Sequence, residues 1–60
     1  MPFVDLKLAG EVNLKQRKEL TKKITEVISE VTGKSPESVY IVIEEVKRDY
    51  WGVGGKLLSN

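Results

Sequence analysis

One amphipathic helical stretch lies between two β-favouring runs, and no other segment of the 60 residues is long enough to make a layer. The first run, residues 2–9, alternates. Pro2, Val4, Leu6 and Leu8 share one face, and Phe3, Asp5, Lys7 and Ala9 share the other. Between Leu14 and Thr32 the apolar residues fall at Leu20, Ile24, Val27, Ile28 and Val31, the spacing of one helical stripe. Asn13 with Gln16 three residues later reads as a capping box, and Gly33 stands where a C-terminal cap is expected. The second run, Val39 to Ile43, is continuously apolar and suits a strand buried on both faces. Glu44-Glu45-Val46 carries it toward the surface.

The connections read more simply. Gly10 and Glu11 break the first strand, and Ser35-Pro36-Glu37-Ser38 has room for one helical turn. Lys47 to Tyr50 predict a polar turn, and Trp51-Gly52-Val53-Gly54-Gly55 a short hairpin bend. The tail from Lys56 to Asn60 is expected to be extended. The fold class is therefore α/β (α+β). It is a single β-α-β domain over residues 1–60, with parallel strands joined by a helical crossover and a short hairpin at the C-terminus.

Such a unit cannot cover itself. A chain of this length buries only about 60% of its unfolded surface. With no cysteine and no histidine, disulfides, thiolate metal sites and imidazole ligands are all excluded. One helix covers one sheet face, so the other apolar face asks for a second subunit. The ten basic and nine acidic residues nearly cancel, which argues against a dedicated nucleic-acid binder. The basic helix surface of Lys15, Arg17, Lys18, Lys22 and Lys23 is interrupted by Glu19 and Glu26, and reads as a solvated face. Asp5 and Lys7 interrupt the only apolar run near the front, and no run approaches membrane-spanning length. A cytoplasmic protein with no membrane partner is expected.

Chemistry must come from few groups. Pro2 follows the initiator methionine. With Met1 trimmed it presents a secondary amine, and an α-amine titrates at about 7.7–8.0 when unperturbed. That is close to what a general base needs near neutral pH. The glycine-rich Gly52-Val53-Gly54-Gly55-Lys56 fails as a phosphate loop, because position 50 is tyrosine and position 57 is leucine. Glu44 and Glu45 adjoin along a strand and point to opposite faces, a poor carboxylate pair for acid–base work.

Four segments at their present spacing carry a resemblance. They are Met1-Pro2-Phe3-Val4, Gln16-Arg17-Lys18-Glu19-Leu20, Ser38-Val39 leading into Ile41 to Val46, and Trp51-Gly52-Val53-Gly54-Gly55. Together they resemble the 4-oxalocrotonate tautomerase family across nearly the whole chain. The resemblance implies dimers that pair their sheets and, commonly, a homohexamer of three such dimers. It implies enol–keto tautomerisation of 2-hydroxydienoates or related enolpyruvates, with Pro2 shuttling the proton and no metal or organic cofactor. Trp51 aligns with the aromatic that lines the family's pocket, and Ser38 with a serine near the substrate.

Two positions depart from the pattern. The better-known members carry two arginines that hold the substrate, and these fall on Val12 and Tyr40 here. A tyrosine hydroxyl cannot supply the bidentate fork of a guanidinium. Tyr40 is read as packing, or as a hydroxyl donor to a substrate oxygen. Lys7, Lys47 and Arg48 are the candidate substitute cations, with Arg48 nearest in sequence to Trp51. The substitutions favour a mono-acid or aromatic enolpyruvate over a dicarboxylate. They also support an alternative, a non-catalytic or weakly active subunit of a mixed tautomerase-like oligomer. The candidate site is thus Pro2 as catalytic base, with Trp51, Tyr40, Ser38 and Arg48 binding a small enol or keto acid.

Overall fold

The computed structural model describes residues 1–59. Strand β1 (Phe3–Ala9) is followed by helix α1 (Leu14–Thr32), a single 3₁₀ turn at Pro36–Ser38, and strand β2 (Tyr40–Val46). A second 3₁₀ turn at Arg48–Tyr50 leads to a small hairpin of β3 (Gly52–Val53) and β4 (Lys56–Leu57). β1 and β2 pair in parallel, in a register running from Phe3 opposite Tyr40 to Ala9 opposite Val46. The helix is the crossover that a parallel pair requires.

Local chemistry explains where α1 begins and ends. The Asn13 side chain accepts from the Gln16 amide at 2.8 Å, and the Gln16 side chain accepts from the Asn13 amide at 2.9 Å. Both orphan donors of the first turn are thereby satisfied. Gly33 closes the helix at φ 76°, a left-handed conformation that side chains disfavour, and its N–H donates to Ser29 O at 2.9 Å. The hairpin turn places Gly54 and Gly55 at φ 60° and 84°, the pair of positive angles that a tight two-residue turn needs.

The expected C-terminal hairpin is present and takes in the start of the expected extended tail. Lys56 and Leu57 are not a free extension but pair antiparallel with Val53 and Gly52. The chain turns again at Leu58, whose N–H donates to Trp51 O at 3.0 Å. Asn60, the last residue of the expected extended tail, lies outside the described residues.

Strand alternation sorts the sheet into two faces. Val4, Leu6, Ile41 and Ile43 are half-buried on the helix side. Phe3, Tyr40 and Val42 stand on the other face, still 61%, 54% and 47% exposed. Val27 and Val31 extend the helical stripe beyond what the two strands cover and are also exposed. No described residue is fully buried. The radius of gyration is 14.3 Å, against roughly 10 Å for a compact 60-residue domain. The protomer is a thin plate of 42 × 25 × 14 Å whose β2 strand is covered on one side only.

Candidate active site

The candidate residues fall into two groups at opposite ends of the strand pair. At the front end, the Tyr40 amide donates to Pro2 O at 2.9 Å and extends the parallel ladder by one bond beyond Phe3. Pro2 is half-buried there, while Met1 ahead of it is 82% exposed. With Met1 attached, the Pro2 nitrogen is a tertiary amide without basicity. Its removal leaves a secondary amine on an anchored residue. Ser38 lies one turn before β2 and is half-buried. Its hydroxyl donates to Ser35 O at 2.7 Å, and so closes its own turn. Tyr40 projects from the open sheet face beside Phe3.

At the back end, Trp51 is held on three sides. Its N–H donates to Arg48 O at 3.2 Å, its carbonyl accepts from Leu58, and its indole Nε1 donates to Val46 O at 3.1 Å. Val46 is the last residue of β2 and pairs with the last residue of β1. Seven strand residues at about 3.3 Å each separate this end from Pro2 by roughly 20 Å. Pro2 and Trp51 therefore do not meet within one protomer.

The turn between β1 and α1 lies at the Trp51 end and is tied down from both sides. Val12 N–H donates to Glu45 Oε2 at 2.7 Å, and Val12 O accepts from Arg17 Nη1 at 2.9 Å. One peptide segment is thus gripped by a carboxylate from β2 and a guanidinium from α1. Gly10 in the same turn has φ +107°, and Arg48 Nη2 lies 3.4 Å from where a Cβ on Gly10 would stand. Arg48, Gly10, Glu11, Val46, Lys47 and Asp49 border a cleft of about 430 Å³.

The candidate cations separate on this geometry. Lys7 is engaged on the open face by Asp5 at 2.7 Å and Glu44 at 3.2 Å. Those contacts, the Asp5 hydrogen bond foremost, hold its ammonium pKa above the ordinary 10.5. Lys7 is a structural partner there and not a spare cation. Glu44 faces Lys7 while Glu45 faces Val12, so the two carboxylates do point apart. Lys47 and Arg48 both border the cleft. Arg17 was read from sequence as part of a solvated face. It lies instead on the sheet side of α1, in step with Leu20, Ile24 and Ile28, and is half-buried. Its position three residues before Leu20 was the available signal. Among the described residues no cluster of three or more His, Cys, Asp or Glu side chains could hold a metal ion. No helix among them is long and apolar enough to cross a membrane.

Comparison with known proteins agrees with this architecture. A family model described as "Tautomerase enzyme" matches residues 2–60. The 2-hydroxymuconate tautomerase of Bacillus subtilis (strain 168) is 38% identical over 60 residues, an alignment spanning 100% of this chain and 97% of that protein. The crystal structure of YwhB, a homologue of 4-oxalocrotonate tautomerase, superposes with a TM-score of 0.92 at 37% identity, covering 98% of this chain and 97% of its own. A heterohexameric 4-oxalocrotonate tautomerase from Chloroflexus aurantiacus J-10-fl shares the fold at 20% identity, with a TM-score of 0.90 and coverage of 98% and 95%. That protein is an oligomer built on the same protomer fold. The chain belongs to the tautomerase family and is an isomerase of the 4-oxalocrotonate tautomerase type.

Proposed function

We propose that the enzyme ketonises 2-hydroxydienoates or enolpyruvates, with Pro2 as its general base and then its general acid. Once Met1 is removed, the neutral Pro2 nitrogen accepts the enol hydroxyl proton. The electron pair left behind spreads over the conjugated system as a dienolate. The Pro2 ammonium then returns the proton to carbon, which forms the keto acid and restores the amine. Proton count and charge are conserved and no redox partner enters.

The observation that carries this reading is the placement of Pro2. Its carbonyl is locked to β2, while its nitrogen leads only to an exposed methionine. The distance to Trp51 asks for a second copy whose indole closes over this nitrogen and lowers the local dielectric. The open face bearing Phe3, Tyr40 and Val42 supplies an apolar surface for that contact. A homohexamer built as three dimers satisfies both demands. Tyr40, on the Pro2 side of that face, supplies packing and a hydroxyl near the developing oxyanion. Ser38 supports the same end through its turn.

The test is to express this chain alone, confirm loss of Met1 by intact mass, and assay 2-hydroxymuconate and phenylenolpyruvate ketonisation. Pro2→Ala is expected to lower kcat/KM by about 10²-fold or more, and full retention contradicts the role. Activity that emerges only on mixing with an arginine-bearing relative assigns the chain instead to a mixed oligomer.

A further inference from the structure

We infer that Arg48 is the substrate-carboxylate ligand of this enzyme, and that the cleft beside Gly10 selects 2-enol and 2-oxo acids with one carboxylate and an apolar tail. The inference rests on the tautomerase reading and names the substrate class of that site.

The other cations near the sheet are committed. Lys7 is shared by Asp5 and Glu44, and Lys23 is paired with Glu19 at 2.8 Å. Arg17 spends a donor on Val12 O, where it braces the turn against the pull of Glu45 on the other side of the same residue. Arg48 makes no ion pair among the described residues, although Glu11 and Asp49 border the same cleft. Its Nη2 stands 3.4 Å from where a Cβ on Gly10 would lie. An unpaired guanidinium keeps its planar fork for a ligand, and a carboxylate matches that fork with two parallel hydrogen bonds. Lys47 in the same cleft offers only a flexible point charge.

Arg48 also arrives with the right neighbour. Its carbonyl accepts from the Trp51 amide, so the two residues belong to one turn at the end of β2. The Trp51 ring is oriented by its bond to Val46. A cation and an aromatic side chain carried on one turn suit one carboxylate and one apolar body. Arg17 already gives part of its fork to Val12 O, which leaves Arg48 as the guanidinium with its whole fork open among the described residues. A dicarboxylate would place its second charge against the indole.

Trp51 is the chain's single tryptophan and shares a turn with Arg48, so its fluorescence reports on that turn without interference from a second indole. The purified, Met1-trimmed oligomer is titrated with phenylpyruvate, and with phenylacetone as the analogue lacking the carboxylate. The wild type is expected to bind phenylpyruvate, and Arg48→Met to weaken that binding about 10-fold or more. Arg48→Lys is expected to recover only part of the loss. Phenylacetone binding should not respond to either change. In turnover, Arg48→Met should raise KM for phenylenolpyruvate by a similar factor with kcat little changed, the pattern of lost uniform binding. Lys15→Met, an equal loss of charge on the wet side of α1, should leave the phenylpyruvate Kd unaltered. Absence of phenylpyruvate binding by the wild type overturns the inference. So does an Arg48→Met protein with unchanged Kd, or equal weakening by Lys15→Met. Failure of the tautomerase reading looks different: phenylpyruvate binding stays dependent on Arg48 while Pro2→Ala keeps its turnover.

Discussion

The Tyr40 amide donates to the Pro2 carbonyl at 2.9 Å, and this bond ties the residue ahead of β1 to the first residue of β2. The bond leaves the Pro2 nitrogen as the mobile side of a fixed residue, with only Met1 beyond it. Proline has no N–H of its own to lose to the sheet, so the anchoring must come through its carbonyl. The Trp51 indole of the same protomer stands at the other end of the strand pair, roughly 20 Å away.

The role proposed for Trp51 as an aromatic wall can be tested by substitution. Trp51→Ala should lower kcat/KM by about 10-fold to 100-fold, because water would then reach the developing charge. Trp51→Phe keeps the apolar wall but loses the hydrogen bond to Val46 O. It should retain most of the rate and lose about 1 kcal/mol of stability. Steady-state kinetics and thermal melts on the same preparations separate the two effects.

The open sheet face predicts an assembly phenotype. Val42 stands there beside Phe3 and Tyr40 and lies opposite Asp5 in the register. Val42→Glu would bury an unpaired carboxylate against a partner, at a cost of several kcal/mol. Sedimentation velocity should show the oligomer dissociating, with stability falling in parallel, since the protomer has no fully buried residue to sustain it. An unchanged sedimentation coefficient would mean that another surface makes the assembly.

Gly10 is sensitive through its backbone. At φ +107° any side chain is strained, whereas the new Cβ would meet Arg48 Nη2 at 3.4 Å, an ordinary contact that a flexible side chain accommodates. Gly10→Ala should cost about 1–3 kcal/mol from the backbone conformation, which thermal denaturation measures. The Kd for phenylpyruvate should change little at temperatures where the variant is fully folded.

The pH dependence of stability should carry a small signature of the helix surface. A hydrogen bond from Lys23, with its charge attraction behind it, holds the Glu19 carboxyl below the ordinary 4.5. Its stabilising contribution is present above the unfolded value and disappears as pH falls through the folded one. The same bond raises Lys23 above 10.5, so the Lys23 contribution is present below that value and is lost as pH rises through the folded one. Glu19→Gln should therefore melt lower than wild type at about pH 7, and the gap should close as pH falls through the lowered folded value of Glu19. Both groups are fully exposed, so the gap is small and high salt narrows it. A gap that persists in acid would assign it to some other cause.

Local signals were legible in the sequence and long-range ones were not. Asn13 with Gln16, Gly33, and the Ser35-Pro36 turn all act within a few residues, and each sits where its pattern predicted. The alternation of β1 and the run from Val39 gave the parallel pair, because one helix between two strands leaves little other choice. Lys56 and Leu57 were read as tail because only their pairing with Gly52 and Val53 makes them a strand. The partners of Lys7 and Arg17 escape a local reading for a related reason. Lys7 finds Glu44 across the sheet, and Arg17 finds a backbone carbonyl that no side-chain motif announces. The bond from Val12 to Glu45 joins residues 33 apart in the chain and leaves no local trace. Of the candidate site, the position after Met1 pointed to Pro2, and the family resemblance pointed to Trp51. Neither signal revealed that they stand at opposite ends of the sheet, or that Arg48 leans on Gly10.

The most direct measurement is a pH titration of the ¹⁵N-labelled Pro2 nitrogen by NMR in the Met1-trimmed oligomer, set beside the pH profile of kcat/KM. The account predicts that this nitrogen titrates at or below the ordinary α-amine range of about 7.7–8.0, and that its midpoint matches the rising limb of the rate profile. A nitrogen that stays fully protonated from about pH 6 to about pH 8.5 while the enzyme turns over substrate would contradict it.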